Sequence, residues 1–236
     1  MRINGTDIER FEAKQLRISF SQMELTNQSA WAVGSAVPYF AQNTYGFKRL
    51  TVVLMVRGDD REEIKRNCSK ILALIHGRTE LELDAFDTFF VGALASTPTR
   101  EEKTRDRWHD LTMEFVGYEH RRPVTFTGTN TVEINNPGDL PSPAIVTLSP
   151  RQSVNPVHMT GICRDSYTGD DMPVTIKNVI SGKEIVMDGT TGLITEDGDL
   201  REVDMWTLPS IAPGLSEVTC DSSYIDVSVK VYPIIM

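Results

Sequence analysis

The first half of the chain shows several strand patterns and one strong helix pattern. Apolar and polar residues alternate along "KQLRISF", which predicts a strand with Leu16, Ile18 and Phe20 on one face. The β-branched run at residues 49–58 predicts a buried strand, and strand patterns resume from "TELELD" onward. This order of strands, one helix and further strands predicts an α+β domain, a β-barrel or β-sandwich with one helix, instead of a regular βαβ sheet.

The helix pattern covers "DDREEIKRNCSKILALIHG", residues 59–77. Asp59 or Asp60 is expected to cap its N-terminus, with Glu62 or Glu63 in capping-box spacing. An apolar stripe recurs at three- and four-residue steps, formed by Ile64, Cys68, Ile71, Leu72 and Ile75. Because such a stripe needs an apolar partner, we expect this helix to pack on a sheet.

The second half of the chain contains short β-rich runs and no convincing helix pattern. Gly, Pro, Asn and Asp separate these runs roughly every eight to twelve residues, which is typical of an antiparallel β-sandwich. Ten of the twelve prolines lie at Pro123 or later, so the composition changes near residue 120, and residues 117–126 are predicted to be a linker. We therefore expect a mainly β chain of two domains, residues 1–120 and 121–236.

The balance of charge excludes one class of partner. A net charge of −9 argues against nucleic-acid binding, which needs clustered Lys and Arg. The acidic excess is concentrated in residues 121–236, which carry 15 acidic and 8 basic side chains. No apolar run approaches the roughly 18–20 residues that cross a bilayer, and the N-terminus lacks an apolar signal-peptide core. We expect no membrane partner and synthesis in a cytoplasm.

The sequence holds few signals for catalysis or metal binding. The motifs GxSxG and GxxxxGK[ST] are absent. The three cysteines share no CxxC spacing, which predicts buried or scattered thiols, and the four histidines lack zinc-ligand spacing. His109 lies beside an acidic residue in a strand and is expected at the surface or half-buried. We therefore expect no enzyme, no cofactor and no metal.

The acidic and Gly-rich stretch at residues 182–200 raises the question of a cation site. An EF-hand loop needs D-x-[DN]-x-[DN]-G and a later glutamate, and this spacing is missing. Asp188 can instead hydrogen-bond its own turn backbone, and the neighbouring glycines permit positive φ. We interpret the stretch as a β-hairpin, with an adventitious cation as the alternative.

Aromatic residues supply two candidate contacts. The first is a segment before the buried strand that contains Tyr39, Phe40, Tyr45 and Phe47. This pattern fits either a subunit contact or the arm of a hairpin. The second is Trp206 or Trp31, which could stack on a sugar ring or pack in the core or a loop.

Three segments near the C-terminus carry a family resemblance. "SGKEIVMDGTTGLI" holds G-x-x-I-x-x-D-x-x-x-G, "WTLPSIAPGLSEVTC" holds L-P-x-I-x-P-G, and "IDVSVKVYP" ends in Tyr-Pro. In this order they resemble the C-terminal domain of the distal tail (Dit) proteins of long-tailed phages and prophages. The N-terminal half agrees, because "RINGTDIERF" is similar to the family's opening strand and "LTMEFVGYEHRRP" to its exit strand and linker.

The resemblance implies a structural role in a virion. It implies an N-terminal domain that forms a homo-hexameric ring between tail tube and tail tip, and a galectin-like or carbohydrate-module-like sandwich on the outside. The expected partners are further copies of the chain, the tail tube protein and a tail-tip or hub protein of the baseplate. The expected location is the tail tip, after synthesis in the host bacterial cytoplasm.

Under this hypothesis the subunit contacts lie in two segments of the first domain. One is residues 40–50, and the other is a charged loop at residues 97–107. The loop supplies the candidate contact residues Arg100, Lys103, Arg105 and Arg107. The alternative function is a lectin-like carbohydrate-binding module in which Trp206 or Tyr224 stacks on sugar. A hydrolase or lyase has the least support, because no paired base and nucleophile can be named.

Overall fold

The protein is mainly β, as the sequence predicts, and forms two compact units, Met1–Glu119 and His120–Ile235. The computed structural model describes residues 1–31, 33–84, 86–102, 107–165 and 168–236, and describes only the backbone of residues 27, 28, 30 and 39–43. Among these residues there is a single α-helix.

The first unit is built around one antiparallel sheet. The strands of this half of the chain are β1 Arg2–Ile3, β2 Thr6–Asp7, β3 Ala13–Phe20, β4 Leu25–Ala30, β5 Tyr39–Tyr45, β6 Lys48–Arg57, β7 Thr79–Glu82, β8 Thr88–Leu94, β9 Thr99–Glu102 and β10 Trp108–Arg121, of which β4 and β5 lie outside the main sheet. The sheet has the order β2-β1-β7-β8-β10-β6-β3, and β9 pairs with the start of β10. A 3₁₀ turn, Ile8–Phe11, links β2 to β3.

The helix α1, Arg61–Ala73, packs on this sheet through the apolar stripe. Its N-terminus is capped by Asp60, whose carboxylate accepts the Glu63 N–H at 2.7 Å. The Glu63 carboxylate in turn accepts the Asp59 N–H at 2.7 Å. The capping prediction is confirmed for Asp60 and Glu63, because the Asp60 carboxylate satisfies an N–H group of the first turn that has no helical partner, and Glu63 reaches back to the residue before the cap.

The strands β8 and β10 approach each other too closely for side chains at two positions. A Cβ on Gly117 would lie 2.0 Å from the Val91 carbonyl oxygen, and one on Gly92 would lie 2.3 Å from that of Val116. Glycine is therefore required where these backbones meet.

One strand prediction is wrong in its details. Leu16 does not share a face with Ile18 and Phe20, because β3 shifts register against β6 between Gln15 and Arg17. Leu16 is the extra residue of this bulge and is 51% exposed, whereas Ile18 and Phe20 pack on the core. A bulge reverses the face that an alternating pattern assigns to a residue.

Two segments predicted to be irregular contain strands instead. The predicted linker at residues 117–126 is mostly β10 and β11, leaving Arg122 and Pro123 between them. The predicted charged loop at residues 97–107 contains β9, which pairs with residues 109–112. His109, expected at or near the surface, is buried, because it lies on the same face of β10 as the core residues Leu111 and Met113.

The second unit is an antiparallel β-sandwich, as predicted. Its strands are β11 Val124–Thr129, β12 Thr131–Asn136, β13 Ser142–Pro150, β14 Val157–Thr160, β15 Val174–Ile176, β16 Ile185–Asp188, β17 Ile194–Glu196, β18 Asp199–Leu200, β19 Ser210–Ile211, β20 Gly214–Cys220, β21 Ile225–Val231 and β22 Ile234–Ile235. One sheet has the order β11-β21-β13-β16-β17-β18 and the other β12-β20-β14-β15. Both sheets contribute side chains to one apolar core.

The L-P-x-I-x-P-G segment joins these two sheets. Its short strand β19 pairs with the start of β13, and the Pro209 carbonyl accepts the Ala144 N–H at 3.0 Å. The buried Asn136 side chain donates to the Ile211 carbonyl at 2.9 Å. Gly214, at φ +82, then begins β20 in the other sheet. The prolines suit the crossing because they need no N–H partner.

Candidate interaction surfaces

The strands β4 and β5 form a hairpin that is a separate two-stranded sheet. Pairing runs from Leu25 and Tyr45 at the root to Ala30 and Tyr39 toward the tip. Within the part of the chain that the structure describes, neither strand pairs with any other. We call residues 25–47 the arm. Of the two interpretations of the aromatic segment, the hairpin arm is confirmed, and its use as a subunit contact stays a prediction.

The arm carries no charge, although most of its described side chains are exposed. Between Glu24 and Lys48 there is no Asp, Glu, Lys, Arg or His, in a chain of which 24% of the residues are charged. Trp31 is 65% exposed and Val37 70%, and Val33 is fully exposed. An isolated two-stranded hairpin is marginally stable in water, and exposed strand edges usually carry charges that block association. The arm therefore has the properties of a surface that another protein covers.

The candidate aromatic residues lie on the arm in different ways. Tyr45 and Phe47 are exposed at its root. Tyr39 and Phe40 lie in β5, and their side chains are outside the description. The predicted contact role of all four stays a prediction, supported for Tyr45 and Phe47 by their exposure.

A buried ion pair fixes the strand that follows the arm. The Lys48 ammonium lies 2.9 Å from the Glu119 carboxylate, and the Thr88 hydroxyl donates to the same carboxylate at 2.7 Å. Sequence reasoning missed this pair. One signal could have indicated the burial of Lys48. Alternate residues of a strand lie on the same face, so Lys48 shares the buried face of β6 with Leu50 and Val52.

The charged candidates of residues 97–107 are only partly described. Arg100 lies exposed in β9, and Arg107 lies just before β10. Lys103 and Arg105 fall outside the described residues. Arg107 lines a cavity of about 500 Å³ together with the charged residues Glu12, Arg57, Asp59 and Glu63 and the uncharged residues Gly58 and Trp108. The predicted contact role of the four basic residues is thus not tested.

The two sugar-stacking candidates lie on different segments of the second unit. Trp206 is 78% exposed between β18 and β19, and Tyr224 is half-exposed in the turn between β20 and β21. The backbone holds Tyr224 in place, because its carbonyl accepts the Arg151 N–H at 2.8 Å. Both side chains are accessible to a ligand, and their sugar-stacking role stays a prediction.

The acidic stretch at residues 182–200 is a hairpin, as predicted. β16 pairs with β17, and Asp188 accepts hydrogen bonds from the Thr190 N–H at 2.7 Å and the Thr191 hydroxyl at 2.8 Å. Burial alone would raise the pKa of the Asp188 carboxyl, but these hydrogen bonds outweigh it and lower that pKa. Asp188 therefore acts as a turn-forming anion.

The described residues contain no cluster of metal-binding side chains. No group of three or more His, Cys, Asp or Glu side chains is placed there to hold a metal ion. Cys68, Cys163 and Cys220 are buried and free, as predicted, and burial raises the pKa of each thiol. None of the helices in the described part of the chain has the length and apolar character needed to span a membrane.

Comparison with known proteins gives a likeness of fold. No protein-family model and no curated protein matches the chain. The solved structure of the phage SPP1 Dit protein, described as a paradigm of the hub adsorption apparatus in phages that infect Gram-positive bacteria, is similar with a TM-score of 0.67. The identity is 12%, and the match covers 98% of this chain and 96% of that one.

Two structures of the phage P2 baseplate in its activated conformation are also similar. The one with Ca has a TM-score of 0.58 at 11% identity, covering 96% of this chain and 92% of that one. The one with Sr has a TM-score of 0.57 at 10% identity, covering 95% and 91%. Over nearly its whole length, the chain has the fold of the phage SPP1 Dit protein, and the fold that the sequence resemblance implies is confirmed.

Proposed function

We propose that this chain is a structural protein of a phage tail tip, of the distal tail type, with no catalytic activity. The observation that carries the proposal is the extent of the likeness, which covers 98% of this chain and 96% of the SPP1 Dit protein. A likeness limited to one β-sandwich would be weak support, because unrelated proteins share that architecture. Here both units, in the same order, contribute to the likeness.

In this proposal the copies of the chain form a hexameric ring that joins the tail tube to the tail tip. The first unit makes the ring, and the second lies on its outside. The partners are the tail tube protein and a tail-tip or hub protein, and the location is the virion after synthesis in the host bacterial cytoplasm. Neither nucleic acid nor membrane is a partner, and no cofactor is needed.

The arm supports self-association. Each copy carries a net charge of −9, so two copies repel unless they meet through surfaces with few acidic groups. The arm is such a surface, because it holds no charged residue and exposes Trp31, Val33 and Val37. Its two strands also leave unpaired edges that a neighbouring copy can extend by hydrogen bonding.

Negative-stain imaging of the purified chain tests the proposal. The expected result is ring-shaped particles whose class averages show six-fold symmetry, at concentrations high enough to favour assembly. The same sample is then mixed with a tail tube protein from the same genome, and the rings are expected to stack on the ends of tubes. Single-copy particles at every concentration, without binding to tube ends, would contradict the proposal.

A further inference from the structure

A second exposed apolar surface lies on the second unit, on the extended segment between β18 and β19. Alternate residues of this segment point outward and form a row of two acidic and two apolar side chains. We call this the outward row, and its members are Glu202, Asp204, Trp206 and Leu208. The inward residues Val203 and Met205 pack against the core of the sandwich. The alternation places Trp206 in solvent because its neighbours on either side face inward.

The segment that carries the outward row is held by its backbone. The Asp204 backbone exchanges two hydrogen bonds with Thr175, at 3.0 and 3.2 Å. The Cys163 thiol donates to the Thr207 carbonyl at 3.0 Å, and the Pro209 carbonyl accepts the Ala144 N–H at 3.0 Å. A tryptophan on a fixed segment loses little conformational entropy when a partner covers it. Trp206 therefore has the attributes of an interface anchor.

The apolar end of the row lies near the neighbouring hairpin. A Cβ on Gly192 would lie 3.6 Å from a methyl group of Leu208, so Leu208 lies close to the turn that follows Asp188. Leu208 is therefore beside a structured turn of the same unit.

Charge around the row determines which partner it suits. Glu202 and Asp204 make no ion pair with any described residue, and the adjacent Arg201 is paired with Glu196 at 2.7 Å. The unit as a whole has an acidic excess, with 15 acidic and 8 basic side chains in residues 121–236. Such a field attracts basic surfaces and disfavours a second acidic copy.

We propose that the outward row is a docking surface for a different protein, one that offers an apolar pocket for Trp206 and Leu208 beside basic side chains that pair with Glu202 and Asp204. The surface belongs to the second unit, and it does not depend on the ring. The row would give the second unit a specific attachment point that is separate from the arm.

The test uses the full-length chain and a random peptide library displayed for selection. We expect the selected peptides to be basic and to contain large apolar residues. Dissociation constants are then measured for synthetic copies of the peptides by fluorescence anisotropy. Trp206→Ala should weaken binding about tenfold or more, as for an interface anchor. Glu202→Gln with Asp204→Asn should weaken it several-fold at low salt, and this difference should disappear at high salt.

Tyr224→Ala is the matched control, because Tyr224 is an exposed aromatic residue in another turn of the same unit. It should leave peptide affinity unchanged, and circular dichroism should show that all variants keep the fold. Peptides that lack basic residues, or affinities that Trp206→Ala does not change, would overturn the proposal. So would binding to a glycan array that Trp206→Ala abolishes, or a monomer–oligomer equilibrium that depends on Trp206, since these identify a sugar or a second copy as the occupant.

Discussion

The arm of the first unit and the outward row of the second both expose tryptophan, but they differ in charge and in support. The arm holds no charged residue and pairs only with itself among the described strands. The outward row carries Glu202 and Asp204, and backbone hydrogen bonds hold it to the sandwich. Exposure alone would assign both surfaces the same role.

The difference indicates two kinds of partner. A neutral arm with open strand edges suits neighbouring copies of an acidic chain, because it avoids placing like charges together. A fixed, acidic row suits a basic surface on another protein. Four predictions test this difference.

The largest effect on stability is expected at the root of the arm, for Lys48→Met. This change leaves the Glu119 carboxylate buried without its cation, which should lower the free energy of unfolding by about 3–5 kcal/mol. Urea denaturation followed by circular dichroism measures it. The double variant Lys48→Met with Glu119→Leu should recover much of the loss, because no charge then remains buried. A single variant as stable as the wild type would show that the arm's root does not depend on this pair.

Charging the arm should weaken self-association strongly while the fold stays intact. Val33→Lys with Val37→Lys places two cations on a surface that is otherwise neutral, and burying them in a contact is costly. We expect the apparent dissociation constant of self-association, measured by sedimentation velocity, to rise at least about 100-fold. Leu215→Lys is the matched control, since Leu215 is exposed on the second unit. Equal assembly of the arm variant and the wild type would remove the arm from the interface.

A smaller loss of unfolding free energy is expected for a substitution in the Asp188 turn, which lies beside the outward row. Asp188→Ala removes the acceptor for the Thr190 N–H and the Thr191 hydroxyl, which should cost about 1–3 kcal/mol of unfolding free energy at pH 7. The pKa of Asp188 is lowered in the folded state, so its contribution is full above the unfolded value of about 3.9 and is lost as the pH falls through the folded pKa. The difference in unfolding free energy between the wild type and Asp188→Ala should therefore become smaller at acidic pH. A difference that does not change with pH would contradict the role of the carboxylate.

The smallest effect is expected for Leu16→Ser, which tests whether exposure alone marks an interface. Leu16 is exposed because a bulge turns it away from the core. We expect its replacement to change the unfolding free energy by no more than about 0.5 kcal/mol and to leave assembly unaltered. Loss of assembly in this variant would place the β3 edge in the contact and weaken the distinction drawn for the arm.

Local features of the fold could be predicted well from the sequence. The capping residues of α1 and the Asp188 turn depend on side chains within a few positions of each other, so their patterns determine them. Leu16 shows the limit, because a bulge depends on the partner strand and leaves no mark in an alternating pattern. Residues 117–126 show another limit. The end of β10 is polar in composition, so in the sequence it resembles a linker, although it remains a strand up to Arg121.

The candidate surfaces were predictable only in part. The aromatic segment and Trp206 could be identified from residue type, but residue type does not show which side of a segment faces solvent. The exposure of Trp206 depends on Val203 and Met205 packing inward, and the buried pairing of Lys48 depends on Glu119, which lies far along the chain. Such long-range contacts arise from the arrangement of the sheets.

The most direct test of the central claim, that the chain acts by assembling through its neutral arm, is the mass of the particle in solution. Multi-angle light scattering across a range of concentrations should give six times the mass of one chain for the wild type and for Trp206→Ala. It should give the mass of a single chain for Val33→Lys with Val37→Lys. A wild type that stays single at every concentration, or an arm variant that assembles as the wild type does, would contradict the claim.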